Sequence, residues 1–175
     1  MGSAAAPSPV KLIAGLLASS PHHLEEATGH LTERFGAVDA ASAAQPWNVS
    51  DYYRDEMGPV IIRQFLSFAP LVGPGKLAGI KQLANELEGR WRGPSGRRVN
   101  IDPGYVATTK LVLASTKDAA HRVYLSGGIY AEVTLYFESG TFVAYRHTYP
   151  DYATSQAIAF FNGVRAAYLG QRRAA

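Results

Sequence analysis

The sequence predicts an α+β fold: a ferredoxin-like β-α-β-β-α-β sheet with its helices on one face, extended by a C-terminal β-meander and a final helix. Three observations carry this expectation. Apolar residues recur at helical spacing in two segments, Leu24, Ala27, Leu31, Phe35 and Leu77, Ile80, Leu83, Ala84, Leu87, Trp91. Runs rich in β-branched and aromatic residues lie before, between and after them. Ser126-Gly127-Gly128 and Glu138-Ser139-Gly140 then divide the C-terminal runs as hairpin turns.

Residues 1–9, mostly Ala, Ser and Pro, are too poor in apolar side chains to order themselves and read as a tail. The single domain spans 10–170, and 171–175 is a second, solvated tail. Lys11 to Ala18 imitates a short signal peptide, but its apolar stretch is at the minimum length and follows Pro7 and Pro9, so it reads as a buried first strand. Gly2 does not open a myristoylation signal, because Ala6 stands where Ser or Thr is needed. Ser20 caps the first helix with Pro21 at its first position, and Gly36 stops it. A second strand is placed within 37–48 and a third over Val60 to Phe68, ended by Pro70. Gly73-Pro74 opens the second helix and Gly93-Pro94 closes it. Val99–Ile101 and Tyr105–Ala114 follow as strands on either side of a turn, Asp102-Pro103-Gly104. Arg122–Leu125, Ile129–Phe137 and Thr141–Tyr145 form the meander. The last helix starts at Asp151 to Ser155 and turns Ile158, Phe161, Val164 and Tyr168 inward.

Composition bounds the function. With 17 basic and 14 acidic residues the net charge is +3, an excess that suits an anionic ligand without demanding a nucleic acid. The absence of cysteine excludes disulfides, thiol catalysis and thiolate metal sites. No apolar run approaches the roughly 20 residues of a membrane span. A soluble, cytoplasmic protein is expected.

Polar residues gather in four segments: Ser50 to Glu56, Arg97 to Tyr105, Ser115 to Arg122 and Tyr149 to Tyr152. Each lies at the end of an expected element, where a rigid sheet can hold side chains around a cleft. Asn100 and Asp102 alternate along a strand and so share a side, where their oxygens suit Mg²⁺ while Arg97 or Arg98 grips a phosphate. Equally, Arg98 pairs with Asp102 and the Asp-Pro-Gly sequence only makes a turn. Lys117, His121 and Arg122 offer an anion site with His121 as acid or base, or else a solvated loop. Tyr52, Tyr53, Tyr149 and Tyr152 supply an aromatic wall or ordinary rim packing. His22, Glu26 and His30 have metal-ligand spacing on a helix but lie opposite the apolar stripe, which makes them a solvent face.

The segments K-L-I-A-G-L-L-A-S-S, D-Y-Y-R-D-E-M-G, K-Q-L-A-N-E-L-E, R-R-V-N-I-D-P-G-Y, A-S-T-K-D-A-A-H-R-V-Y-L, G-G-I-Y-A-E-V-T-L and T-Y-P-D-Y resemble the bacterial domain-of-unknown-function family 4416, in order, from about Val10 to Tyr168. The resemblance implies no established reaction, although members of that family are often labelled GTP-binding. The residues do not carry a GTPase's usual devices. Gly75-Lys76 is followed by Leu77 where a P-loop needs Ser or Thr, and Thr116-Lys117-Asp118 misses the guanine-reading spacing by one position. A fainter likeness, of fold order alone, is to the pterin pyrophosphokinases.

The leading functional expectation is a small domain binding a phosphorylated or nucleotide-like ligand, with Mg²⁺-assisted phosphoryl chemistry as its enzymatic form. Asp102 and His121 are its candidate catalytic residues, Asp102 its metal ligand, and Arg97, Arg98, Asn100, Lys117, Arg122, Tyr52 and Tyr152 its binding residues. The rival expectation is a non-catalytic protein-interaction module. An RNA platform fits less well, because Glu132 lies among the strand tyrosines Tyr124, Tyr130 and Tyr136. Convergence of the four polar segments on one pocket separates the first expectation from the second.

Overall fold

Every residue of Val10–Ala18 (β1) is buried, because this strand lies inside a nine-stranded sheet whose neighbours all pair antiparallel. The computed structural model describes residues 2–174; Met1 and Ala175, the ends of the two expected tails, lie outside the described residues. Ser20 Oγ accepts from the His23 amide to cap Pro21–Phe35 (α1), which Gly36 closes in the left-handed region at φ 93°. The expected second strand is two short edge pieces, Val38–Ala41 (β2) and Gln45–Pro46 (β3). One helical turn, Arg54–Met57 (α2), precedes Ile62–Val72 (β4). Leu77–Glu88 (α3) leads into a two-rung hairpin, Arg92–Gly93 (β5) and Gly96–Arg97 (β6). Then come Val99–Val106 (β7), Lys110–Ser115 (β8), Val123–Ser126 (β9), Ile129–Glu138 (β10), Thr141–Ala144 (β11) and the closing helix Ser155–Ala174 (α4). The sheet order is β11-β10-β8-β7-β1-β4-β2, with β3 against β4 and β9 against β10.

The two faces of β1 are covered differently. Leu12, Leu16 and Ala18 pack with Leu24 and Leu31 of α1 and with Ile80, Ala84 and Leu87 of α3, so these two helices share one face as expected. The final helix does not join them. Its Ala157, Phe161 and Val164 pack on Ile13, Phe65, Val106 and Leu113, on the opposite face. A smaller cluster of Leu17, Met57 and Ile61, with Trp47 and Tyr53 against it, covers another part of the sheet. One cavity, lined by the 45–49 segment and the start of α4, opens between these covers, and a second, lined by the 47–53 segment and by residues 149–152 just before α4, adjoins it.

Three expectations about the chain's course are corrected. Asp102-Pro103-Gly104 is not a turn: β7 runs straight through it, pairing Asp102 with Gly15 and Pro103 with Ala14. The hairpin comes later, at Ala107, whose amide donates to Lys110 O. Gly104 is needed for proximity, since a Cβ there would collide with the Val112 carbonyl oxygen. Pro70 does not end β4, which continues to Val72; it sits where the β1–β4 register is broken, between the pairs Ile13↔Ser67 and Lys11↔Leu71, so no regular ladder there needs the amide that proline lacks. Finally, α4 continues to Ala174 through the expected tail, held by Gln171 on the Ala69 carbonyl and Arg172 on Thr108. Among the described residues no helix is long and apolar enough to cross a membrane.

Candidate functional site

Antiparallel register decides which side chains meet. Arg63 on β4, Leu17 on β1 and Asn100 on β7 form one cross-strand row; Phe65, Gly15 and Asp102 form the next. Arg63 extends over Gly15 towards Asp102, and this needs a residue without a side chain. A Cβ on Gly15 would stand 2.9 Å from Arg63 Nη1 and collide with Tyr152 Oη.

Arg63 is 8% exposed, with its guanidinium against the rings of Trp47, Phe65 and Tyr152 at 5.1, 5.2 and 5.6 Å. Nη2 is ion-paired with Asp151 Oδ2, and Nη1 stands 3.9 Å from Asp102 Oδ2. Arg63 Nε and Nη1, Asp151 Oδ1 and Tyr152 Oη are all buried without a hydrogen-bond partner among the described residues, and the Arg63–Asp151 contact itself lacks good hydrogen-bond alignment. Burial pushes the Asp151 carboxyl above its ordinary range, opposed by Arg63; it likewise raises the Tyr152 phenol. Burial alone would lower the Arg63 guanidinium, but Tyr152, Asp151 and Asp102 outweigh it and raise it.

The ladder between β7 and β8 ends at Gly104↔Leu113, next to Pro103, so the strands separate beside Asp102. Lys81 of α3 reaches this opening from the other face, donating to Ile101 O at 2.7 Å and standing 3.8 Å from Asp102 Oδ1. Asn100 Nδ2 donates to Asp102 Oδ2 at 2.8 Å, as their alternation implies. Glu88, raised by burial against the pull of Lys81, accepts from the Ile101 amide and from Arg97. Across the opening Lys117 Nζ donates to Tyr52 Oη at 2.7 Å and holds that phenol below its ordinary value. Burial raises Tyr53 and Tyr149, and Asp102 adds to the rise at both.

Two adjoining cavities of about 110 and 270 Å³ share Tyr53, Asp102, Lys117 and Tyr149. A third, of about 580 Å³, shares Trp47, Val49, Arg63 and Asp151 with the second. All four polar segments contribute: Tyr52 and Tyr53 from the first, Arg97, Asn100 and Asp102 from the second, Lys117 from the third, and Tyr149, Asp151 and Tyr152 from the fourth.

Not every expected residue belongs. Arg98 lies outside, its guanidinium over Gly93 and its partnership with Asp102 replaced by Arg63 and Lys81; neighbours in an extended segment point opposite ways, and Arg97 takes the inward one. Arg97 lines the cleft but is occupied by Glu56 and Glu88. His121 lines a separate cavity, stacked on His147 at 4.3 Å and facing Glu132. Arg122 acts through others: it binds the buried Glu132, the Lys117 carbonyl and Tyr149 Oη, fixing two walls of the cleft. Of the spaced His22, Glu26 and His30, Glu26 accepts from Trp91 Nε1, the His30 ring lies against Trp91, and the exposed His22 stands beside Glu26. Asp102 does not suit Mg²⁺, because Lys81 and Arg63 stand 3.8 and 3.9 Å from its oxygens and would repel a third cation. Among the described residues no three His, Asp or Glu side chains group as metal ligands.

Sequence reading missed Arg63, Lys81 and Gly15. Arg63 carries a legible signal, a charge in phase with Phe65 on the inward side of a core strand. Lys81 and Glu88 carry another, falling seven residues apart within the buried stripe of α3.

The family model described as a domain of unknown function, DUF4416, matches residues 8–168. No curated protein and no solved structure matches the chain.

Proposed function

This chain belongs to the DUF4416 family, a domain of unknown function, and from that premise we propose that it binds a phosphorylated, nucleotide-like small molecule in the cleft over Gly15. The observation that carries the reading is convergence: segments up to a hundred residues apart in sequence line one concavity, and its Arg63, Asp151 and Tyr152 hold buried polar atoms without partners. Charge accounting supports a position for the anion. Arg63 is matched by Asp151 and Asp102, Lys81 by Glu88 and Asp102, and Arg97 by Glu56 and Glu88. Among the described residues Lys117 has no carboxylate partner, so its ammonium is the group a phosphate meets. The tyrosine rings beside it offer faces to a sugar or base.

We read the β7-β1-β4-β2 portion as ferredoxin-like, supported by its strand order and by α1 and α3 sharing a face. The ligand reading is tested by titrating phenyl phosphate calorimetrically. Lys117→Ala should weaken binding roughly tenfold, as loss of one charge-assisted contact does. Equal affinity in the variant would remove the anion from this cleft. One observation favours the interaction module instead: on β9, which among the described residues pairs only with β10, Val123 and Tyr124 are 70% and 57% exposed.

A further inference from the structure

The edge of a sheet offers amides and carbonyls to any passing strand, and among the described residues this protein blocks its edges with a single exception. At β2 the register breaks between Val38 and Ala40, and Asp39 reaches in to Lys11 and Ser67. The two-residue β3 ends in Pro46, which has no amide to offer. At the far end of the sheet the Phe142 amide of β11 donates to Asn162 Oδ1 of α4. Between β9 and β11 the Val133 and Thr134 carbonyls accept from His147 Nε2 and Thr148 Oγ1. None of these devices protects β9. Its residues Val123, Tyr124, Leu125 and Ser126 are all exposed, its outer edge pairs with nothing among the described residues, and no charged residue or proline occurs from Val123 to Ala131.

The open edge is also held ready. Gly127 and Gly128, at φ 56° and 77°, turn β9 back onto β10, and Gln82 of α3 donates to the Gly127 carbonyl. The Tyr124 ring stands edge-on to Tyr130 at 5.4 Å. A second copy of the same strand suits this edge. A two-fold axis perpendicular to the sheet joins two identical edges antiparallel and keeps each face on its own side, so opposed residues differ by an even number. With Tyr124 on the axis, Tyr124 faces its own equivalent and Val123 faces Leu125, so each apolar side chain meets another. Arg122 then lies across from Ser126; its guanidinium is engaged by Glu132 and Tyr149, and no like charges meet at the contact. We propose that β9 is the contact edge of a homodimer, in which Val123, Tyr124 and Leu125 of two copies pair antiparallel and join the two sheets into one. This goes beyond the ligand reading and does not depend on it, because no β9 residue lines the phosphate cleft. Three side chains and one short strand edge fall below the roughly 1,200 Å² that stable complexes bury, so the dimer is weak and reversible.

Sedimentation velocity on the full chain tests this. Wild type should be monomeric near about 5 µM and substantially dimeric near about 1 mM. Tyr124→Lys sets two ammonium groups against each other at the axis and should raise the dimer dissociation constant about tenfold or more. Its melting temperature should stay that of wild type, because Tyr124 is exposed. The chain has no cysteine, so a single introduced thiol reports the register. Directly opposed residues stand about 4.5–5.5 Å apart between Cα atoms, within reach of a disulfide. Tyr124→Cys should therefore crosslink to its own copy under mild oxidation, whereas Val60→Cys, exposed on another part of the surface, should not. A wild type that stays monomeric at every concentration, a dimer that survives Tyr124→Lys, or equal crosslinking at the two positions would overturn the proposal.

Discussion

Replacing Arg63 by Met removes the charge at the centre of the cleft and keeps most of the side chain's bulk. Arg63 is paired with Asp151, which is only 6% exposed, so the variant leaves a buried carboxylate without its counterion. Breaking a buried pair from one side costs about 3–5 kcal/mol. For a chain of 175 residues each kcal/mol moves the melting temperature by about 2–4 °C, giving an expected fall of about 6–20 °C at neutral pH. The loss also depends on pH with a definite sign. Burial raises the Asp151 carboxyl above its ordinary value of 3.8, and Arg63 counteracts that rise, so the variant raises it further. Between the ordinary and the raised value the folded state holds a proton that the unfolded state has released, and stability falls as pH increases. The stabilising contribution is complete below pH 3.8 and is lost as pH rises through the folded value. Differential scanning calorimetry of wild type and Arg63→Met at pH 4.5 and pH 8 should therefore give the larger difference at pH 8. A loss under about 1 kcal/mol, or one equal at both pH values, would refute the buried-counterion account.

Gly15→Ala should cost about 1–3 kcal/mol, because the fully buried Tyr152 is packed against Phe161 and cannot swing away from a new Cβ; an unchanged melting temperature would show that the guanidinium does not cross this glycine. Gly104→Ala should cost more, since the obstructing atom is the Val112 backbone oxygen, and amide exchange in β7 and β8 should accelerate more than elsewhere. Asp102→Asn should tighten phenyl phosphate severalfold, the effect of removing a negative charge from the wall of the same cleft, with Mg²⁺ making no difference; weakened binding would restore a direct ligand role for the carboxylate. GTP with Mg²⁺ should release no phosphate above background, and release abolished by Lys76→Ala would contradict the missing phosphate loop.

The helices were legible because caps and apolar stripes are local: Ser20, Gly36 and the Leu77-to-Trp91 periodicity act within a few residues. Alternation also put Asn100 beside Asp102 correctly. The Asp-Pro-Gly segment was misread because its turn propensity is local, whereas its pairing with β1 comes from residues about ninety positions away. Three of the four polar segments contribute charged side chains to the cleft, yet the charge at its centre lies in none of them. Arg63 stands in a run of strand formers, and only the register of β4 on β1 turns it over Gly15. Arg98 and His121 were drawn in by residue type; backbone direction sends the first outward, and Glu132 with His147 engages the second.

The central claim, that four separated segments form one phosphate-binding cleft, is tested most directly by following backbone amide resonances during titration with phenyl phosphate. The account predicts saturable shifts at Tyr52 and Tyr53, Asn100 to Asp102, Thr116 and Lys117, and Tyr149, Asp151 and Tyr152, all fitting one dissociation constant and all moving together to about tenfold higher ligand concentration in Lys117→Ala. Shifts confined to one segment, or centred on β9, would contradict it.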